Sequence, residues 1–308
     1  MAQTARERWP SLAFPDWRDT AGTLHMWTQI VGKVRLVQSP WLNHSWHAAF
    51  YVTARGLTTS PIPHGERIFQ IDFDFLDHRL IVSTCDGERS ELALRPQATA
   101  DFYRDLMRTL DTLGLPVKIH PRPNEVANAI RFDQDREHAS YDPDAAQRFW
   151  RILVQVDRVF RAFRAGFRGK GSPVHFFWGS FDLAVTRFSG RAAPAHPGGF
   201  PNMPDAVTRE AYSYEVSSAG FWTGSDDMPE PIFYAYAYPT PAGFKDAAVH
   251  PSAAYWSDSL GEFILPYEAV RGSDSPDATL MAFLDSTYLA AAQTGGWDRA
   301  PLEMPGRP

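Results

Sequence analysis

The chain has 308 residues, enough to bury a substantial core in one large domain or two ordinary ones. Hydrophobic residues make up 44% and charged residues 21%, a soluble globular composition, and the net charge of −6 argues against a nucleic-acid partner, which needs a basic face. No apolar run approaches the roughly 18 residues needed to span a bilayer. Met1–Pro10 has no apolar signal core, and the lone Cys85 excludes an intramolecular disulfide, so a cytoplasmic protein without membrane contact is expected.

A helix is expected from Thr20 to about Val37, then strands at 45–54, 67–76, 79–85 and 89–94, then a helix over 97–113 stopped by Gly114. A Pro-rich connection, His120 to Asp142, follows, with one short helix expected after Asn124. Asp142-Pro143-Asp144 is a strong helix start, an N-cap followed by proline at the first helical position. That helix runs to about Phe167, with Gly166 or Gly169 as its stop. Strands are expected at 174–188, 211–222, 231–238 and 262–266, and Ser275-Pro276-Asp277 opens a last helix reaching about Gln293.

The order of elements occurs twice, and residues echo it. A helix with Trp27 leads to Ser39-Pro40 and one with Trp150 to Ser172-Pro173, while Trp46 and Trp178 sit early in the strands that follow. The expected fold is α+β: two pseudo-repeats of α-β-β-β-β-α order, with antiparallel four-stranded sheets backed by helices. The expected division is 1–119, a connecting segment 120–142, and 143–308, which carries the candidate site.

Strand parity adds detail. Ile232, Tyr234, Tyr236 and Tyr238 share one face, and the small Ala235 and Ala237 on the other let helices approach, so the tyrosines look toward a cavity, the other half or solvent. Phe69, Ile71, Phe73 and Phe75 share a face opposite Gln70, Asp72 and Asp74, whose plainest role is a solvated sheet surface. In the second half, two long Pro/Gly/Ala-rich loops, 189–210 and 239–260, emerge at one end of the expected meander, and loops of that length are commonly lids or binding loops.

At that end the strands present Arg187, Glu215, Tyr236, Tyr238 and Glu262. Arg187 suits an anion through its planar fork, or a structural ion pair with Glu215 or Asp182. Glu215 and Asp182 are the candidate acid/base residues, Arg187, Tyr236 and His196 the candidate ligand-binding residues. His175, at the far end of its strand, suits a core or capping role. His196 and His250 lie in loops, and no close ligand spacing joins them to His175 or Glu215, so no metal and no cofactor are expected. Gly166 to Ser172 lies after a helix and before a strand, the reverse of a phosphate loop, and neither a nucleophile elbow nor a dinucleotide glycine motif is present.

Several blocks carry a resemblance. His175 to Gly190, Glu210 to Trp222, Pro266-Tyr267-Glu268, Trp9-Pro10 and Leu24 to Lys33 resemble the bacterial family called domain of unknown function 5996, over about Trp9 to Leu302. The resemblance implies a single full-length family and no particular chemistry. The functional expectation is an enzyme acting on a small organic anion, with Arg187 as anchor and Glu215 as acid/base. The alternative is a non-catalytic module that binds a small ligand or a protein.

Overall fold

The computed structural model describes residues 5–304; the first four residues of the stretch read above for a signal lie outside the described residues. After a single turn α1 (Ala5–Arg8), the helix α2 (Arg18–Gln38) is buried on most of its circumference, as its few exposed polar positions require. Trp27 on α2 stacks on Phe102 at 4.6 Å between ring centroids.

Six strands follow: β1 (Tyr51–Val52), β2 (Gly56–Thr58), β3 (Ile62–His64), β4 (Arg67–Asp74), β5 (Arg79–Thr84) and β6 (Arg89–Ala93). They form an antiparallel sheet in the order β1-β2-β4-β5-β6, with β3 also paired to β4. Phe69, Ile71, Phe73 and Phe75 are all buried under α2 and α3 (Thr99–Thr112). Asp74 departs from the solvated-face expectation. It is buried, accepts from Arg55 at 2.5 Å, and caps the backbone N–H groups of Leu76 and Asp77. The expected short helix after Asn124 is absent; residues 120–142 run as turns and extended chain.

The helix α4 (Pro143–Ala165) starts as the sequence dictates, with the Asp142 carboxylate accepting from the N–H groups of Asp144 and Ala145 at 2.9 and 3.3 Å. The second sheet then unfolds as β7 (His175–Phe177), β8 (Asp182–Ala192), the short helix α5 (Asp205–Ala211), β9 (Tyr214–Trp222), β10 (Ile232–Tyr238), β11 (Tyr255–Ser257) and β12 (Glu262–Pro266), closed by α6 (Tyr267–Arg271) and α7 (Pro276–Thr294). Its order is β11-β12-β10-β9-β8-β7, again antiparallel. Each half therefore has a six-stranded sheet where four strands were expected. The additions are short pieces, β2 and β3 in the first half and β11 and β7 in the second, too brief to leave a clear period-2 pattern.

The segment 174–188 is a hairpin, not one strand. The chain turns at Trp178–Phe181, where Phe181 takes a left-handed φ of 59°, and β7 folds back so that His175 faces Ala184. The region 211–222 likewise divides into the end of α5 and β9. The two sheets meet at a single bridge, where Phe50 and Phe176 exchange backbone hydrogen bonds at 2.8 and 2.9 Å. Trp150 and Trp178 reinforce it by donating to the carbonyls of Thr53 and Ala48 at 3.0 and 2.7 Å.

α4 packs on β8, and α7 on β9 and β10. Because these helices cover one face of the second sheet, the other face is left for a different partner. Asp142→Ala should destabilise the protein by about 1 kcal/mol through loss of the α4 cap. Denaturant unfolding tests this, and an unchanged midpoint would show the cap to be replaceable.

Candidate functional site

Side chains alternate along each strand, so β8 sends Leu183, Val185 and Arg187 to the helices and Asp182, Ala184, Thr186 and Phe188 to the opposite face. In β9 the same rule puts Ala219 and Phe221 in the core and Val216, Ser218 and Trp222 on the open face. Tyr234 and Tyr236 of β10 and Glu262 at the start of β12 join them. These residues floor a cavity of about 590 Å3.

The cover comes from elsewhere. The segment after β8 and α5 contribute Phe200, Met203, Val207, Thr208, Ala211 and Tyr212; the turn around His44 and Trp46 closes one side, and Glu125 and Ser180 another. The Glu125 segment is held from two sides. The Gln29 amide oxygen accepts from the Asn124 N–H at 2.8 Å while its nitrogen donates to the Asn124 carbonyl at 2.7 Å. Glu125 N–H donates to the Pro201 carbonyl at 2.8 Å, and Asn202 donates to the Val126 carbonyl at 2.6 Å. At the other end Glu210 accepts from the His44 N–H at 2.8 Å, and His44 Nδ1 lies 2.8 Å from the Ala211 carbonyl.

Two glycines make the floor possible. A Cβ on Gly220 would lie 2.2 Å from Tyr234, so only glycine lets that ring cross β9 and donate its hydroxyl to Asp182 Oδ2 on β8. A Cβ on Gly179 would lie 1.9 Å from Glu125 Oε1, and its absence admits the carboxyl that accepts from Ser180 at 2.5 Å. Tyr236 stacks beside Tyr234 at 6.1 Å, and its hydroxyl is 2.9 Å from that of Tyr212; the Thr186 and Ser218 hydroxyls are 2.8 Å apart.

Charge in this cavity is one-sided. Burial pushes the Asp182 carboxyl up to about 7, opposed by the Tyr234 hydrogen bond and assisted by Glu125. Burial, with Asp182 nearby, also raises Glu262 to about 7, and burial raises Glu125. Burial pushes the Tyr236 phenol up to about 12, and the Tyr212 and Tyr234 phenols also lie above their ordinary value. Among the described residues, no Arg or Lys lines the cavity. Its one lining imidazole, His44, has Nε2 2.6 Å from Lys170 Nζ, and burial lowers its pKa. Asp182 Oδ1 is buried, and among the described residues no other residue donates to it.

Of the residues expected from the sequence, the cavity gathers Asp182 and Tyr236, together with Glu262 among the polar strand ends. Arg187 is on the other face. It is 4% exposed, its guanidinium lies 3.4 Å from the Phe163 ring centroid and 4.3 Å from that of Tyr288, and it donates to the Phe163 carbonyl. Glu215 does not meet it: the register pairs Arg187 with Ser217, and Glu215 instead takes Arg191 at 2.6 Å and Ser189 at 2.8 Å. His196 lies behind the cavity wall, stacked on Tyr212 at 4.6 Å, where burial lowers its pKa. His175 is fully buried among Trp46, Tyr51 and Phe177, and His250 is tied to Ser286 through its backbone. Among the described residues, no group of three or more His, Cys, Asp or Glu side chains is arranged to hold a metal ion, and no helix is long and apolar enough to cross a membrane.

Glu125 and the His44 turn have no sequence signal of their own. They lie in stretches without periodicity, and only the Gly179 requirement hints at something approaching that turn.

Fold and site together define an α+β protein of two antiparallel sheets with an acidic, tyrosine-lined cavity on the open face of the second. The chain belongs to the family of unknown function DUF5996, whose model matches residues 9–304. No curated protein and no solved structure matches it.

Gly220→Ala should cost about 1–3 kcal/mol by driving the Tyr234 ring from its place. The same change should cost much less in a Tyr234→Ala background, and additive losses in that double-mutant cycle would refute the crossing-ring account. A second expectation concerns pH. Because Asp182 is ordinarily ionised above 3.8 but holds its proton to about 7 in the fold, the protein loses this group's stabilisation as pH rises from about 4 through 7. Asp182→Asn, a mimic of the protonated acid, should match the wild type near pH 4 and exceed it in Tm by pH 8. A pH-independent difference would contradict this.

Proposed function

We propose that this protein acts on a small organic molecule in the cavity of the second sheet, with Asp182 as general acid/base. The observation that carries the reading is the setting of Asp182: a buried carboxyl in the lining of the cavity, poised near neutrality and hydrogen-bonded through one oxygen by Tyr234, with no other residue donating to the second oxygen. A proton can then be exchanged near physiological pH. Glu262, raised for the same reason, is the second proton-exchanging group, and Tyr236 with Tyr212, Thr186 and Ser218 supplies hydroxyls to orient the bound molecule. Phe200 and Leu260, exposed on the cavity lining, form the entrance.

This reading keeps Asp182 and Tyr236 from the sequence-based site and moves its centre away from Arg187 and Glu215. A second reading, a binding module without turnover, draws on the aromatic lining, since stacked Tyr234 and Tyr236 with Trp222 retain a ligand without chemistry.

A thermal-shift screen of metabolites on the wild type, Asp182→Asn, the cavity-filling Ser218→Trp and Glu215→Gln separates these. A ligand shift lost in Ser218→Trp and kept in Glu215→Gln places binding in the cavity. If Asp182→Asn still binds but turnover of that ligand falls by about 100-fold or more, Asp182 acts as acid/base. A shift that survives Ser218→Trp would overturn the proposal.

A further inference from the structure

We infer that the molecule this cavity takes is an organic cation, carrying a primary ammonium or guanidinium group that docks between Asp182 and Glu262. The inference deepens the functional reading above and rests on it. Three carboxyls, Glu125, Asp182 and Glu262, converge on one cavity whose lining supplies neither Arg nor Lys. Burying several acids without a counter-charge is unfavourable, and proteins ordinarily satisfy such groups by pairing. Buried and part-buried acidic side chains elsewhere in this chain illustrate that pairing: Asp74 takes Arg55 at 2.5 Å, Asp135 takes His138 at 2.7 Å, and Glu215 takes Arg191 at 2.6 Å.

A second observation points the same way. Asp182, in the cavity lining, is 7% exposed, its Oδ2 accepts from Tyr234, and no other residue donates to its buried Oδ1. A donor from a ligand completes it. The neighbouring surfaces suit a cation too, because the faces of Tyr234, Tyr236 and Trp222 carry negative quadrupoles that attract ammonium and guanidinium groups. Lys170, behind the lining residue His44, is engaged there: its ammonium lies 2.6 Å from His44 Nε2 and 4.4 Å from the Tyr214 ring centroid. An anionic ligand would instead meet three carboxyls and no cationic side chain in the lining. A neutral polyol would use the hydroxyls but leave the acids uncompensated.

Isothermal titration of the full chain with three compounds of one shape tests the charge: tyramine, its neutral alcohol tyrosol, and 4-hydroxyphenylacetate. Tyramine should bind about tenfold or more tightly than tyrosol, with the acid weakest, as expected for a charge-assisted hydrogen bond. In Asp182→Asn/Glu262→Gln the preference for tyramine should vanish while the fold, followed by Tm, persists. Equal or tighter binding of tyrosol or of the acid, absence of tyramine binding, or a cation preference that survives the double variant would each overturn the inference. Of these, tyrosol or acid binding that Ser218→Trp abolishes would leave the cavity standing as a ligand site. Binding of all three compounds that Ser218→Trp leaves unchanged would remove the cavity reading itself.

Discussion

The alternation of side chains across the second sheet is the constraint from which the rest follows. Along β8, β9 and β10 every second residue is committed to α4 and α7, and these positions are filled with Leu183, Val185, Ala219, Phe221, Phe233 and Ala235. The small alanines on β10 let α7 lie close, which seals that face. The intervening residues meet neither α4 nor α7 but a roof set back from the sheet, so whatever polarity they carry is available to a cavity. A register slip of one residue would send Asp182 and Tyr234 into the helices and Leu183 and Phe233 into the cavity, which is why the register is so strongly specified.

The open face still needs a roof, and hydrogen bonds to backbone groups hold part of it. Gln29 engages both the N–H and the carbonyl of Asn124, and Glu125 and Asn202 tie the same segment to the cover after β8. Glu125 has a left-handed φ of 59°, a conformation a non-glycine residue holds only when its surroundings enforce it. Here the enforcement is visible: the peptide before it is clamped by Gln29, its own N–H is taken by Pro201, and its carboxyl fills the space that Gly179 leaves. The strain is spent on delivering a carboxyl to the cavity.

Much of this was legible in the sequence, and the misses have physical causes. Asp142-Pro143 and Ser275-Pro276 mark their helices because capping and proline geometry are local, and the alanine–tyrosine alternation of 232–238 assigned its two faces correctly because parity is local too. The same parity separates Asp182 from Arg187, five residues apart along one strand, and Arg187 belongs with Leu183 and Val185. Its charge suggested a ligand, but a guanidinium laid on Phe163 and Tyr288 is a core residue. The turn at Trp178–Phe181 hid inside an apparent strand, since a left-handed phenylalanine leaves no mark in composition. Glu125 was out of reach, because its role depends on contacts with residues 29, 179 and 201, which no local pattern brings together.

Arg187 and Asp182 show how one strand can hold two ionisable groups in opposite settings. Both are removed from water on β8, and the fold treats them oppositely. Arg187 is compensated by ring faces, a carbonyl and the nearby carboxyls of Asp285 and Glu303. Asp182 is buried beside Glu125 with no cationic partner, and the hydrogen bonds from Tyr234 and its own backbone N–H offset this only in part, so its proton is retained to about 7. A fold selected only for stability would gain by giving Asp182 an arginine or by replacing it with an apolar residue, as buried ion pairs and their hydrophobic substitutes show. Here it stays uncompensated, beneath a roof that brings a second carboxyl, Glu125, to the same cavity, and that is the physical basis of the proposal that a molecule outside the chain supplies the partner.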